Sequence, residues 1–166
     1  KLRNGIWRNM GGCLAPMNAY LNIIGMETLG LRMERVCNNA FRLAQALEKL
    51  EGVSVNYPLL ESSPYHELAE KQLSGKGGAI LTIRAGSKER AYKLINHLKY
   101  VKIATNIGDV RTLVIHPAST IYIHSTPEAM AEAGVYDDTI RISVGIEDIK
   151  DLIQDFTEAV ESLGEE

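Results

Sequence analysis

Several hallmarks of common functional classes are scarce in this 166-residue sequence. Cysteine occurs only at Cys13 and Cys37, which gives neither a disulfide framework nor a metal-ligand spacing such as CxxC. We therefore expect two reduced, buried thiols in a cytoplasmic protein. No apolar run approaches the ~20 residues that a membrane-spanning helix requires. The N-terminal stretch KLRNGIWRNMGG also lacks the apolar core of a signal peptide.

The charge balance and the glycine pattern exclude further classes. There are 21 acidic residues against 18 basic ones, whereas nucleic-acid-binding proteins usually carry a basic surplus. The GKGG run at 75–78 lacks the rest of a Walker motif, and no GxGxxG occurs, so nucleotide binding is unsupported. The four histidines have no partner at metal-ligand spacing, which predicts no metal site.

The first third of the chain has the pattern of a long helix. Apolar residues recur with helical period over 16–50, Pro16 suits a first turn, and Gly52 is a typical stop. Gly25 and Gly30 predict a kink or a break between them. Such a helix carries more apolar surface than a small domain covers, so we expect it to pack on another domain or subunit. Because the chain lacks an initiator methionine, we expect a processed chain or a piece of a longer protein.

After residue 52 the pattern alternates between strands and helices. The predicted order is β-α-β-α-β-β-β-α, which is typical of an α+β fold. We expect a small, mostly antiparallel sheet with helices on one face. The predicted division is residues 1–52, as the end of a larger domain plus a linker helix, and residues 53–166, as a small α+β domain. The predicted strands are 53–57, 79–85, 101–105, 112–117 and 140–145, and the predicted helices are 63–73, 88–98, 127–133 and 147–163.

Arg141 is the first candidate for a functional residue. Strand alternation puts Ile140, Ile142 and Val144 on one face and Arg141 on the other, with Ser143. If helices cover the apolar face, Arg141 projects from the uncovered one. A planar guanidinium on a rigid strand suits bidentate capture of a carboxylate. From strand geometry alone, a structural arginine paired with a local acid is the favoured alternative.

Two further residues lie close to a predicted turn. Asn106, in the stretch TNIGD, is usually explained by turn chemistry, although its amide could donate to a substrate carboxylate. Thr112 follows a few residues later and could form a hydrogen bond nearby. Neither residue predicts a function by itself.

Several long stretches occur in the order found in one enzyme family. The chain resembles the C-terminal part of the Cys/Met-metabolism family of pyridoxal-phosphate (PLP) enzymes, which has fold type I. Within that family it is most similar to the O-acetylhomoserine sulfhydrylase branch, which tends to have asparagine at the position of Asn106. The blocks that carry the resemblance are residues 15–40, 53–60, 76–83, 104–120 and 140–156.

The resemblance implies an activity and a site. Enzymes of this branch replace the acetyl group of O-acetylhomoserine with sulfide to give homocysteine, using PLP held by a lysine. The arginine that matches Arg141 binds the substrate α-carboxylate, Asn106 lies beside it, and Thr112 is a supporting residue. Family members are usually tetramers, so the expected partners are an amino-acid substrate, an N-terminal PLP domain and further subunits.

The chain also departs from the family pattern. None of its lysines matches the serine/threonine-lysine motif of the family, so we expect that lysine upstream of residue 1. We therefore expect no catalytic residue in this chain, and PLP binding only by the full-length protein. The stretch IYIHST at 121–126 also differs from the Thr-His-Ser usual after HPAST. The alternatives are a methionine γ-lyase, a cystathionine γ-synthase or lyase, and a non-catalytic remnant or interaction module.

Overall fold

The computed structural model describes residues 3–164, which divide into two compact units between Leu31 and Arg32. The first unit contains a π-helical turn, Arg3–Trp7, followed by helix α1, Arg8–Met10, and helix α2, Pro16–Glu27. None of these three elements has a buried residue. The first unit therefore builds no core of its own among its described helices.

The predicted long helix is two helices in the structure. Helix α2 begins at Pro16 and ends at Glu27, and helix α3 runs over Leu29–Leu47. The break at Thr28 lies between Gly25 and Gly30, as predicted. The predicted end at residue 50 is three residues too late, because tight turns follow Leu47 and lead to Gly52, whose φ is +87°.

The second unit contains the predicted α+β fold. A five-stranded sheet has the order β1-β2-β5-β4-β3 and is antiparallel except for the parallel pair β3–β4. The predicted order of the five strands and of the other helices is confirmed, and the short helix predicted at 127–133 lies between the fourth and fifth strands. The strands are shorter than predicted at their ends. The strands are β1 Ser54–Asn56, β2 Ile80–Arg84, β3 Lys102–Ile103, β4 Leu113–Ile115 and β5 Thr139–Ser143, and the helices are α4 His66–Leu73, α5 Lys88–His97, α6 Pro127–Glu132 and α7 Ile149–Glu161.

The hydrophobic core lies between one face of this sheet and the helices. Ile140 and Ile142 of β5 are fully buried, as are Leu43 of α3 and Leu94 of α5. These residues and Phe156 of α7 belong to one continuous cluster. The prediction of helices on one face of the sheet is therefore confirmed, and the core fixes which face of β5 is left for polar side chains.

A serine cap marks the start of helix α5, whereas helix α4 has no side-chain cap. Ser87 accepts a hydrogen bond from the Arg90 amide at the start of α5, as its position predicts. Ser63 begins the predicted helix 63–73, which predicts it as the N-cap. That prediction is wrong: the Ser63 hydroxyl accepts from the amide of Tyr65, and α4 begins only at His66.

The two cysteines differ in their surroundings. Cys37 is buried in α3, whereas Cys13 is exposed, so the prediction of two buried thiols is wrong for Cys13. Neither forms a disulfide in the described part of the chain. Across residues 3–164, no helix has both the length and the apolar character to cross a bilayer.

Candidate functional site

Strand β5 lies at the centre of the sheet and carries Arg141. Its backbone is paired with Thr82 of β2 on one side and with Ile115 of β4 on the other. Residues adjacent to Arg141 along the strand point into the core, so its side chain leaves the opposite face. A position between two paired strands restricts the backbone of Arg141 more than a loop would.

The guanidinium of Arg141 is held by main-chain oxygens. Its Nη2 donates to the carbonyl oxygen of Thr105 over 2.6 Å and to that of Asn106 over 3.4 Å. Its Nε is buried and has no hydrogen-bond acceptor. Burial lowers the pKa of Arg141, while the charge of nearby Tyr122 acts in the opposite direction. A buried donor without an acceptor is costly unless a bound group completes its hydrogen bonds.

The charge of Arg141 has no acidic partner among the described residues. Within residues 3–164, ion pairs join three other cations to carboxylates, and none of them includes Arg141. The alternative of a structural arginine required such a local acid. Arg84 is a useful comparison, because its side chain leaves β2 on the same face of the sheet. Its Nε donates to Oδ1 of Asp138 over 2.8 Å, so its charge is paired. The Arg84 guanidinium also lies 4.2 Å above the Tyr136 ring.

The loop formed by residues 104–112 folds over the face that carries Arg141. Gly108 donates its amide to the hydroxyl of Ser143 over 3.2 Å, and Ile146 donates its amide to the carbonyl of Val110 over 2.9 Å. Ser143 is only 1% exposed as a result. The expectation that this face is uncovered is therefore only partly correct, because the 104–112 loop covers its carboxyl-terminal end.

Thr112 ends this loop in a buried hydrogen-bond network. Its amide and its hydroxyl both donate to the carboxylate of Glu147, the hydroxyl over 2.9 Å. The same hydroxyl accepts from the amide of Gly145 over 3.0 Å. Asn39 of α3 donates its amide nitrogen to the carbonyls of Gly145 and Glu147, at 3.0 and 2.9 Å. The network thus connects helix α3, the loop and the end of β5.

Gly145 is required by the close approach of these segments. A Cβ atom there would lie 2.4 Å from the carbonyl oxygen of Val110 and 2.6 Å from the carbonyl carbon of Arg111. Both are backbone atoms, which cannot turn aside as a flexible side chain can. The glycine therefore allows the loop to lie directly against the chain that leaves β5.

Of the three predicted site residues, the structure brings Arg141 and Asn106 into contact but not Thr112. Arg141 contacts the backbone of Asn106, whose side chain is exposed. Thr112 is fully buried, and among the described residues no hydrogen bond joins it to Arg141 or Asn106. The sequence placed Ser143 on the face of Arg141 without assigning it a contact. The sequence predicts Glu147 only as the first residue of helix 147–163, whereas α7 begins at Ile149 and Glu147 bonds to Thr112, 35 residues away, a contact that no local pattern indicates.

The HPAST segment contains a buried, fully bonded histidine. His116 lies 2.7 Å through Nε2 from the carbonyl oxygen of Asp137, which can only accept, so Nε2 carries the proton. Its Nδ1 then accepts from the amide of Ser119 at 3.2 Å. The ring also contacts the edge of Tyr92 at a centroid distance of 4.9 Å. At 4% exposure, His116 fastens the segment that follows β4 to the start of β5.

The sequence predicts no metal site. No group of three or more histidine, cysteine or acidic side chains in residues 3–164 could hold a metal ion.

Comparison with known proteins gives the family. The model of the Cys/Met metabolism PLP-dependent enzymes matches residues 2–161. The chain belongs to this family. It is 46% identical to the homocysteine synthase of Schizosaccharomyces pombe over 93% of its own length and 36% of the relative's. The O-acetyl-L-homoserine sulfhydrylase 1 of Thermus thermophilus is 43% identical, over 92% of this chain and 37% of the relative.

Other relatives carry a different activity in their names. The L-methionine gamma-lyase of Treponema denticola is 41% identical over 96% of this chain and 40% of the relative. The family is thus shown by relatives of more than one reaction type. The chain spans little more than a third of the length of the curated relatives it matches.

Solved structures agree with the fold. A candidate O-acetylhomoserine (thiol)-lyase from Campylobacter jejuni superposes with a TM-score of 0.88 at 37% identity, covering 93% of this chain and 37% of that one. That structure contains N'-pyridoxyl-lysine-5'-monophosphate. The second unit is therefore the α+β part of a fold type I PLP enzyme, as the resemblance implied.

The described lysines do not fit the attachment of PLP. A lysine that forms a Schiff base is usually desolvated or placed beside another cation, which lowers its pKa. Every lysine between residues 3 and 164 is exposed. Lys76 and Lys99 donate hydrogen bonds to the carboxylates of Glu34 and Glu158, which raises the pKa of both lysines, the opposite shift. None of the described lysines is therefore suited to hold PLP.

Proposed function

We propose that this chain is part of an O-acetylhomoserine sulfhydrylase-like enzyme and supplies the anchor for the substrate α-carboxylate. The observation that carries the proposal is the guanidinium of Arg141, which has a buried Nε without an acceptor and no carboxylate partner among residues 3–164. A substrate carboxylate would supply both the missing negative charge and the missing acceptor oxygens. The reaction proposed is the replacement of the acetyl group at Cγ by sulfide.

The three predicted residues take different roles in this proposal. Arg141 binds the carboxylate and thereby orients the amino acid for the reaction. Asn106, whose exposed side chain lies next to the main-chain oxygens that hold Arg141, contacts the same carboxylate through its amide. Thr112 acts indirectly, because its hydroxyl is occupied by Glu147 and Gly145. PLP and its lysine are assigned to the part of the full-length protein outside this chain.

The assay that tests the reaction type uses the full-length protein. O-acetylhomoserine with sulfide should give homocysteine, and methionine or cystathionine should be cleaved at least tenfold less efficiently. Product formation is measured by thiol detection and by keto-acid release. Preferential cleavage of methionine would favour the γ-lyase alternative, which the 41% identity to a methionine γ-lyase supports.

A non-catalytic role is the second alternative, supported by the exposed lysines. It is tested on the purified 166-residue chain mixed with PLP. The sulfhydrylase proposal expects no turnover from this chain alone and turnover from the full-length protein. An inactive full-length protein that still binds PLP would favour the non-catalytic alternative.

A further inference from the structure

The orientation of Arg141 depends on the 104–112 loop. Both acceptors of the Arg141 Nη2 are main-chain oxygens at the start of the 104–112 loop, at residues Thr105 and Asn106. Main-chain oxygens are positioned only as well as the loop that carries them. Seven of its nine residues, from 105 to 111, are exposed, so the loop has little core packing to hold it.

Instead, hydrogen bonds to two side chains hold the loop, one from the last residue of β5 and one from the segment that follows it. The hydroxyl of Ser143 accepts from the amide of Gly108 in the middle of the loop. The carboxylate of Glu147 accepts from both the amide and the hydroxyl of Thr112 at the end of the loop. Ser143 is 1% exposed and Thr112 is 0% exposed, so each hydrogen bond has one buried partner, whereas Gly108 is exposed and Glu147 is partly exposed.

Arg141 and the two side chains that bond to the loop, Ser143 and Glu147, therefore lie in one short stretch, residues 141–147. We propose that Ser143 and Glu147 are positioning residues for Arg141, holding the 104–112 loop so that its carbonyls aim the guanidinium at the substrate carboxylate. This inference rests on the proposed role of Arg141. It adds that affinity for the carboxylate depends on two side chains that do not touch the substrate.

The first test removes one oxygen from the network. Ser143→Ala in the full-length holoenzyme should raise KM for O-acetylhomoserine roughly three- to tenfold, the effect expected from one hydrogen bond. KM for sulfide and the bound PLP should not change. Ser143→Thr keeps the hydroxyl and should recover most of the affinity. Ser162→Ala is the matched control, because Ser162 is also buried but donates to Ala159 at the end of α7.

A second test reaches the loop without altering the core. Gly108 is exposed and has a φ of +76°, with no atom within 4 Å of an added Cβ, so Gly108→Ala strains only the loop backbone. It should also raise KM for O-acetylhomoserine. Gly134→Ala is its control, with a φ of +67° and equally open surroundings outside the loop. Both variants should remain folded even if Ser143→Ala does not.

A third test measures recognition of the carboxylate itself. The wild-type enzyme should prefer O-acetylhomoserine over its uncharged α-carboxamide, and Ser143→Ala and Glu147→Gln should each reduce that preference. A merely structural role would lower both substrates' kcat/KM together. Glu158→Gln alters a partly exposed carboxylate paired with Lys99, outside the loop, and should leave the preference unchanged.

The outcomes separate this inference from the proposed function. If Arg141→Lys lowers the preference for the carboxylate but the Ser143, Gly108 and Glu147 variants behave like their controls, the positioning inference is wrong. If Arg141→Lys leaves KM and the preference unchanged, the proposed role of Arg141 itself is wrong.

Discussion

The Nη2 atom of Arg141 lies 2.6 Å from the carbonyl oxygen of Thr105, a residue 36 positions earlier in the chain. A carbonyl oxygen orients a guanidinium but leaves its positive charge uncompensated, unlike a carboxylate. The contact therefore fixes the direction of the side chain while its charge stays available. Arg84, on the same face, shows the other arrangement, since Asp138 both orients and neutralises it.

The difference between these two arginines gives the first prediction. In the full-length enzyme, Arg141→Ala should weaken binding of the amino-acid substrate by about 2–5 kcal/mol, as for a truncated ion-pairing arginine. PLP should remain bound, because the described contacts of Arg141 include no residue assigned to the cofactor. Steady-state kinetics and the absorbance of bound PLP measure the two effects.

Arg84→Ala is the control for the loss of an arginine from this face. It removes the ion pair with Asp138, whose side chain is only 10% exposed, so it should cost about 1–3 kcal/mol of stability and leave KM unchanged. An Arg141→Ala enzyme with the KM of the wild type would contradict the carboxylate role.

A second prediction concerns the contact between the loop and the end of β5. Gly145→Ala places a Cβ atom 2.4 Å from the Val110 carbonyl oxygen, so the two segments must move apart. The expected loss of stability is about 1–3 kcal/mol, as for an overpacked site. Urea denaturation of the chain measures it. Gly164→Ala has no atom within 4 Å of the new Cβ and should change stability by less than about 0.5 kcal/mol.

Most of the fold could be predicted because its signals are local. The alternation of Ile140, Arg141 and Ile142 determines the face of β5, and the structure keeps that alternation. The Ser87 cap and the break between Gly25 and Gly30 likewise depend on neighbouring residues. Ser63 does not cap α4, because its hydroxyl accepts from the amide of Tyr65, two residues later, and the helix begins only at His66.

The site was less predictable because its contacts are distant in sequence. The Thr112 hydroxyl is bonded to Glu147, and Asn39 reaches the same segment from a helix 106 residues before Gly145. The periodicity of apolar residues in the sequence does not indicate contacts between residues so far apart. The predicted division of the chain near Gly52 concerns the larger protein and stays a prediction, as do the substrate-binding roles of Arg141, Asn106 and Thr112.

A third prediction tests a buried carboxylate that holds the end of helix α5. Asp155 is 2% exposed and accepts from the amides of Lys99 and Tyr100, with distances of 2.9 to 3.2 Å. Asp155→Ala would leave both amides without an acceptor, which should cost about 1–3 kcal/mol. Amide exchange in residues 96–101 should rise in parallel. Asp151 is exposed and lies in helix α7, as Asp155 does, so Asp151→Ala should leave this amide exchange unchanged.

The last prediction concerns Tyr57, which is 1% exposed and donates to the carbonyl of Gly78 over 2.9 Å. Burial raises the pKa of Tyr57, and the charge of Cys37 adds to the shift. Below pH 10 the phenol is protonated in both the folded and the unfolded chain, so its contribution to stability is constant. Above pH 10 the unfolded chain loses this proton while the folded chain retains it. The free energy of unfolding should therefore fall as the pH rises, by at most about 1.4 kcal/mol per unit from this residue.

Tyr57→Phe removes this ionisation and should flatten the pH dependence between about pH 10.5 and 11.5 by that amount. At pH 7 the same variant should be less stable by about 1 kcal/mol, because its hydrogen bond to Gly78 is lost. Urea denaturation at both pH values measures the two effects. Tyr65→Phe, at a position 64% exposed, controls for tyrosine ionisation at the surface. Equal alkaline slopes for wild type and Tyr57→Phe would show that the buried phenol does not limit alkaline stability.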